Sequence, residues 1–264
     1  MILRLLRLLI RLPVVLAIGF AGLGILLFIL PLRAFSLQRW LAARRAAMRL
    51  WTGALCRTLG IDIVRSGQPP ERPFFLVSNH VTYLDVLVLG HESPARFVGK
   101  AELRRWPLVG WLCHGAGVIF IDRSSRRDVL RVGDDIQRTF DEQEGLILFP
   151  EGTSTRGHDV APFKPPVLAW PSLRVVPVHT ATLSYRLPDD EPPVDMAVAW
   201  WGGMTFVPHF LRVLQLRRIE ARVHFDPKPI VDDDRKRLAE RLRSRVASHF
   251  EPLVELGGEV EDGE

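Results

Sequence analysis

The sequence predicts an α/β domain, a mixed sheet covered by helices, preceded by an N-terminal membrane-inserted helical element. Three observations carry that expectation. Leu12 to Leu32 is a run of 21 residues without a charge, enough to cross a hydrocarbon core of about 30 Å. From Ile61 onward, short apolar runs alternate with amphipathic segments, the pattern of strands and helices packed in layers. One of those runs, Phe74-Phe75-Leu76-Val77, leads straight into a polar turn, Ser78-Asn79-His80-Val81-Thr82-Tyr83-Leu84-Asp85, around which the chain is organised.

A length of 264 residues suits one large domain and an appendage. The net charge of +5 is unevenly spread. Residues 1–50 hold Arg4, Arg7, Arg11, Arg33, Arg39, Arg44, Arg45 and Arg49 and no acid, so the rest of the chain is net acidic. Basic charge beside an apolar stretch points to anionic lipid as partner, not to nucleic acid. Cys56 and Cys113 stand far apart; there is no disulfide framework, which fits a reducing compartment. The histidines are scattered without metal-type spacing, so no metal is expected.

Taken in order, residues 1–32 form the membrane-inserted segment. Arg33 follows it directly and no small-x-small cleavage site is evident, which argues against a cleaved signal. Positive charge on both flanks leaves two topologies. One is a re-entrant helical hairpin, with Gly19, Gly22 and Gly24 in its middle; the other is a single span. Both put the remaining chain on the cytoplasmic side of the inner membrane. Residues 33–59 space Leu37, Trp40, Leu41, Met48, Trp51 and Leu55 as one helical face, with Arg39, Arg44, Arg45 and Arg49 between them. That reads as an amphipathic helix on the membrane surface, on the domain core, or on both.

Residues 60–252 form the domain. Strands are expected at Ile61–Val64, Phe74–Val77, Arg96–Val98, Val118–Ile121, Leu146–Phe149, Arg174–Val178, Met196–Trp200 and Ile219–Phe225. Helices are expected at Thr82–Leu89, Ala101–His114, Arg126–Glu142, Thr205–Leu216 and Asp233–Phe250. In the last, Leu238, Leu242 and Val246 make the apolar stripe. Residues 253–264 are a Gly-rich acidic tail.

Four motifs carry chemistry. In the first, His80 on a strand-to-helix turn can meet Asp85 in the first helical turn, a base with its orienting acid. Thr82 and Asp85 also fit a weak capping box. The second, Gly117-Val118-Ile119-Phe120-Ile121-Asp122-Arg123, delivers an Asp-Arg pair at a strand end, where α/β sheets present ligand-binding residues; the pair also suits a structural salt bridge. The third, Phe149-Pro150-Glu151-Gly152-Thr153-Ser154-Thr155-Arg156-Gly157, is a turn after an apolar strand. Glu151 offers an acceptor there, and Gly152 allows close backbone approach. The fourth, Val176-Pro177-Val178, reads by itself as core.

Together and in this order, the four resemble the motif set of the glycerophospholipid acyltransferases, nearest to bacterial 1-acylglycerol-3-phosphate O-acyltransferases. The resemblance covers about residues 60–225. It implies that His80 is the general base and Asp85 its partner, that Arg123 binds the acceptor's phosphate, and that Glu151, Gly152 and Thr153 form a glycerol-phosphate site. Lys100 falls where such enzymes often carry a basic residue. One departure stands out. The family pattern commonly reads F-P-E-G-T-R, whereas here Ser154 follows Thr153 and the next arginine is Arg156. Either Arg156 takes that role from a shifted loop, or the phosphate is held differently, or there is none.

The implied reaction moves a fatty acyl group from a thioester, acyl-CoA or acyl-carrier protein, to the hydroxyl of a lysophospholipid, with no cofactor. The resemblance favours 1-acylglycerol-3-phosphate as acceptor and phosphatidic acid as product. The alternative is lyso-ornithine lipid, whose enzymes the stretch Trp200 to His209 resembles as much. Two rivals of other classes are a thioesterase or lipid hydrolase, and a non-catalytic lipid-binding protein. No G-x-S-x-G elbow is present to supply a serine nucleophile.

Overall fold

The computed structural model of the chain describes residues 2–121 and 126–254, the side chains of 126–130 excepted. Helix α1 (Ile2–Ile29) is followed by the short α2 (Leu32–Phe35) and by α3 (Leu37–Leu59). α1 runs on through its glycines without turning back, and two of them serve packing. A Cβ on Gly22 would lie 2.6 Å from the Trp51 ring of α3, and one on Gly19 would lie 3.1 Å from Leu108. Close approach of the helix to its neighbours therefore needs hydrogen at both positions. Arg4 pairs with Glu191 at 3.0 Å, and Arg11 donates to the carbonyl of Leu214 at 3.3 Å. The opposite face leaves Leu3, Leu9, Phe20, Leu27 and Phe28 exposed.

Ser36 caps α3 by accepting from the Arg39 amide at 3.3 Å, and Gly60 ends it at φ 73°. Leu41, Leu55 and Leu59 are buried against the domain. Arg44 is buried too: its guanidinium binds Glu144 at 2.8 Å, and Arg45 binds the other oxygen of the same carboxylate. Two of the four arginines expected between the apolar residues thus tie α3 to the domain rather than face lipid.

The domain carries seven strands in the order β1-β7-β6-β2-β5-β3-β4. They are β1 (Ile61–Ser66), β2 (Phe74–Ser78), β3 (Arg96–Lys100), β4 (Ile119–Ile121), β5 (Gly145–Leu148), β6 (Val178–Arg186) and β7 (Ile219–Phe225). β6, β2, β5, β3 and β4 run parallel; β7 is antiparallel to β6 and parallel to β1. The sheet is therefore mixed, as expected. Helices lie between its strands: α4 (Leu84–Glu92), α5 (Val109–Ala116), α6 (Arg126–Asp141), α7 (Ala169–Leu173), α8 (Val194–Ala197), α9 (Phe206–Val213) and α10 (Arg235–Ala247). One core layer gathers Leu76, Leu84, Leu89, Ile147, Leu183 and Tyr185. The other gathers Phe75, Val77, Leu146, Leu148, Leu238 and Leu242. β2 contributes to both and is buried throughout, which is why it reads as an unbroken apolar run.

Three expected elements differ. The strand placed at Arg174–Val178 begins only at Val178 and runs on to Arg186. Its sequence, VHTATLSYR, hides the strand because both faces are buried and one carries hydroxyls. Thr182 donates to the carbonyl of Val246 at 3.1 Å, and Ser184 accepts the Glu251 amide at 2.9 Å. Met196–Trp200 is not a strand. Pro193 accepts the amides of Met196 and Ala197 and starts α8, and the chain then covers the edge of the sheet. The helix at Ala101–His114 is split, because Pro107 cannot donate to a helical ladder. A 3-10 turn (Ala101–Arg105) precedes α5, with Leu108 at φ 60° between them.

Candidate active site

Parallel strands send their carboxyl ends to one edge of the sheet, and the polar turns gather there. Ser78 ends β2 and Leu148 ends its neighbour β5. Immediately after β2, Asn79 works as a piece of strand: its amide donates to the carbonyl of Leu183 and accepts the Leu183 amide, both at 2.8 Å. That clamp to β6 lets the backbone peel away and turn into α4.

His80 stands in the turn, and its Nδ1 lies 2.7 Å from Oδ2 of Asp85. The same oxygen accepts the amides of Val81 at 2.9 Å and Thr82 at 3.1 Å. Asp85 is thus both the reciprocal half of the capping box and the orienter of the imidazole. Its Oδ1 accepts the Tyr185 hydroxyl at 2.7 Å. Burial, then the nearby Asp85, raise the phenol well above its ordinary value, so Tyr185 stays a donor. With four hydrogen bonds converging on a fully buried carboxylate, the imidazole has one orientation. Nδ1 faces Asp85 and Nε2 is the nitrogen left for chemistry. Phe149 stacks on the ring, centroids 4.2 Å apart and planes 17° apart.

Glu151 is buried beneath this turn. Its Oε1 accepts the His80 amide at 2.7 Å and its Oε2 the Ala161 amide at 3.1 Å. Burial pushes its carboxyl up to about 8 against the pull of those two amides. Glu151 therefore clamps the backbone of His80 and does not reach outward. Gly152 adopts φ 82° and donates to the carbonyl of Phe149 at 3.1 Å, the left-handed turn that needs glycine. Thr153 is exposed. Lys100 is exposed at the end of β3, two strands from β2 and hence about 10 Å across the sheet. β4 ends at Ile121 on the same edge, but Arg123 lies outside the described residues.

A third loop closes over the first two. The Thr155 amide donates to the carbonyl of His80 at 3.0 Å, and the Trp200 amide to that of Val81 at 2.8 Å. Ser154 donates its hydroxyl to the carbonyl of Trp200. Beyond it, Arg156 Nε binds Asp195 of α8 at 2.8 Å, and its guanidinium lies 5.0 Å from the ring centre of Trp201. Beside His80 an aromatic wall forms, with Tyr83 edge-on to Trp200, Phe206 and Phe210. Behind it, His209 Nε2 donates to the Ala199 carbonyl at 3.0 Å, its Nδ1 accepts the Tyr83 hydroxyl at 3.0 Å, and burial lowers its pKa.

Tyr185 and Asp195 are not singled out by the sequence, and Trp201 stands only inside the stretch Trp200 to His209, without a role. Asn79 and Phe149 stood inside quoted motifs without a role. Among the described residues, His224, Asp226 and His249 bring donor atoms within 4.8 Å of one another. The two imidazoles stack at 4.0 Å, and Asp226 pairs with Arg245 at 2.8 Å, so a cation there would compete with a guanidinium. Sequence spacing misses the set because β7 and the segment after α10 bring it together.

The acyltransferase family model matches residues 61–180. A lyso-ornithine lipid O-acyltransferase of Pseudomonas aeruginosa is 32% identical over 207 residues, 77% of this chain and 78% of that protein. The chain belongs to the acyltransferase family. A 1-acyl-sn-glycerol-3-phosphate acyltransferase of Neisseria gonorrhoeae is 32% identical over 123 residues, 46% of this chain and 48% of that protein. The solved structure of PlsC, the 1-acyl-sn-glycerophosphate (LPA) acyltransferase of Thermotoga maritima, shares the fold: the TM-score is 0.67 at 18% identity, over 93% of this chain and 96% of that one. The resemblance read from the four motifs therefore holds, and the chain is an enzyme of the lysophospholipid acyltransferase type. In such an acyltransferase, an oriented imidazole with Nε2 free at a sheet edge is equipped to accept a hydroxyl proton.

Proposed function

We propose that this acyltransferase moves a fatty acyl group from a thioester donor, acyl-CoA or acyl-carrier protein, to the free hydroxyl of a lyso-ornithine lipid. The observation that carries this reading is the extent of the likeness. It runs along about three quarters of both chains for the relative named for that acceptor, and under half for the one named for 1-acyl-sn-glycerol 3-phosphate. The acceptor favoured by the motifs alone, lysophosphatidic acid, becomes the second reading, supported by the Phe149–Thr153 run and the Neisseria relative.

In the proposed reaction the acceptor hydroxyl lies against His80 Nε2. The imidazole takes its proton as the oxygen attacks the thioester carbonyl, and Asp85, held by Tyr185 and two amides, stabilises the imidazolium. When the tetrahedral intermediate collapses, the C–S bond breaks and His80 returns the proton to the leaving thiolate. The thioester is already activated, so neither an acyl-enzyme nor a cofactor takes part. Glu151 positions His80 through its amide. Gly152, Thr153, Arg156 and Lys100 remain substrate-side candidates, on the chain that ends or follows the strands beside the turn, and Arg123 remains one on the resemblance alone.

We place the enzyme on the cytoplasmic face of the inner membrane. α1 touches the domain from Arg4, paired with Glu191, to Leu26, packed on Gly115. Its outward face is apolar, which favours a helix lying in one leaflet and bringing the site to its lipid acceptor.

The test is acyl transfer by the detergent-solubilised protein, offered lyso-ornithine lipid and lysophosphatidic acid in parallel, each with acyl-CoA and with acyl-carrier protein. Preferential formation of ornithine lipid, absent in His80→Ala, is the expected result. Preferential formation of phosphatidic acid would overturn the acceptor assignment.

A further inference from the structure

We infer that Arg156 and Asp195, braced by Trp201, form the site that reads the acceptor headgroup, and that the pair selects a carboxylate-and-ammonium headgroup over a phosphomonoester. The inference rests on the reading of the protein as a lyso-ornithine lipid acyltransferase and names the residues that make that choice.

The location is fixed by hydrogen bonds. Thr155 binds the carbonyl of His80, so Arg156 begins one residue from the catalytic turn. Trp200 binds the carbonyl of Val81, so the α8 loop that carries Asp195 and Trp201 stands on the same edge. The residue after Thr153, where the family pattern places arginine, is Ser154, and its hydroxyl is engaged by the Trp200 carbonyl. Arg156 is therefore the motif loop's only guanidinium, and it is already paired.

The pairing sets what the site can hold. Nε of Arg156 binds Asp195 at 2.8 Å, and the Arg156 side chain remains 30% exposed while that of Asp195 is 5% exposed. The face of the guanidinium rests on Trp201, and the Trp201 indole donates to the Asp195 carbonyl at 2.9 Å. The fork is thus held rigid. Among the described residues its two terminal nitrogens have no hydrogen-bond partner, which leaves a bidentate edge that fits a carboxylate or a phosphate, so the choice between them falls to Asp195. Asp195 cancels the charge of Arg156 from a buried position, where water screens it little.

A phosphomonoester carries about −1.5 to −2 at pH 7. At a pair of no net charge that charge stays uncompensated, because the repulsion of Asp195 offsets the attraction of Arg156. An ornithine joined to a lipid through one amine keeps one carboxylate and one ammonium. Its carboxylate fits the guanidinium edge and its ammonium is attracted by Asp195. Discrimination comes from the repulsive element as much as from the attractive one.

The test is steady-state acyl transfer by the full chain in detergent, with lyso-ornithine lipid and lysophosphatidic acid as acceptors, for wild type, Asp195→Asn, Arg156→Gln and Arg156→Lys. Thermal unfolding checks each fold. Asp195→Asn is expected to shift the ratio of kcat/KM values toward lysophosphatidic acid by about tenfold, because one repulsive charge is removed. Arg156→Gln is expected to raise KM for lyso-ornithine lipid by about tenfold with kcat within about twofold, and Arg156→Lys to restore part of the loss. If Asp195→Asn does not fold, the KM-against-kcat split of the partly exposed Arg156 decides alone. Unchanged acceptor ratios, in a wild type that acylates lyso-ornithine lipid, would overturn this inference and leave the proposed function standing. A wild type that acylates only lysophosphatidic acid would overturn both.

Discussion

The catalytic turn and the headgroup loop lie side by side, yet they are built on opposite principles. In the turn, the carboxylates around His80 are committed inward. Asp85 takes four hydrogen bonds, Glu151 takes two, and a single imidazole nitrogen is left over. In the loop, Arg156 has one hydrogen-bond partner, is partly exposed and lies over an indole. A turn whose carboxylates are fully engaged fixes one chemistry. A loop whose guanidinium keeps an open edge can be retuned by changing its partner. The contrast teaches how one scaffold can keep a reaction while its acceptor changes.

The hardest way to strike that contrast is at the committed side. His80→Ala is expected to lower turnover by about 10³-fold, within the usual range for a general base, with membrane association and thermal unfolding unchanged. Near-normal turnover in that variant would remove the base assignment.

Glu151→Gln tests whether the clamp is structural. Glutamine presents a carboxamide NH2 donor where one oxygen now accepts a backbone N–H, so a loss of about 2 kcal/mol in stability is expected, the cost of an unsatisfied buried donor. The dependence on pH has a definite sign. Burial raises the Glu151 carboxyl from 4.5 to about 8, so the folded state holds more protons between those values than the unfolded state does. Its contribution to stability is complete below the lower value and is lost as pH rises through the upper one. The gap in Tm between wild type and Glu151→Gln should therefore narrow from about pH 5 to about pH 8. A gap that widens over that interval would mean that the two amides outweigh burial.

Tyr185→Phe removes one of the four donors to Asp85 and nothing that touches substrate. We expect kcat to fall about tenfold with KM held, and the pH profile of kcat to shift with the altered imidazole. An unchanged pH profile would reduce Tyr185 to a packing residue. The smallest effect is expected for Ser154→Ala, which loses the hydroxyl bond to Trp200: about 1 kcal/mol of stability and a modest loosening of acceptor choice, read as the ratio of products from a mixed-acceptor assay.

The same division runs through what the sequence made legible. β2, the His80 turn and Glu151 were readable because each lies in one contiguous stretch whose residue types announce strand, turn and acid. β6 was not, because Thr180, Thr182 and Ser184 occupy one of its faces, and Thr182 and Ser184 find their partners at Val246 and Glu251, 64 and 67 residues further along the chain. Losing β6 meant losing Tyr185, an unremarkable residue in sequence that becomes a donor to Asp85 only once β6 lies beside β2. Asp195 and Trp201 were hidden for a related reason: the α8 stretch reads as an apolar strand until Pro193 starts a helical turn. The arginines of α3 looked like a membrane face, yet Arg44 and Arg45 share Glu144, an acid 100 and 99 positions away in the chain. Local periodicity cannot report such partners. Arg123, named from its motif, lies outside the described residues, so its place in the site rests on the resemblance.

The central claim is acyl transfer to a lipid hydroxyl by an oriented His80. Thiol release from acyl-CoA, followed with and without lyso acceptor in wild type and His80→Ala, addresses it most directly. Transfer by His80 gives release that depends on acceptor and collapses in the variant. Release that persists at full rate without acceptor would make the enzyme a hydrolase, and release that persists in His80→Ala would move the chemistry to another residue.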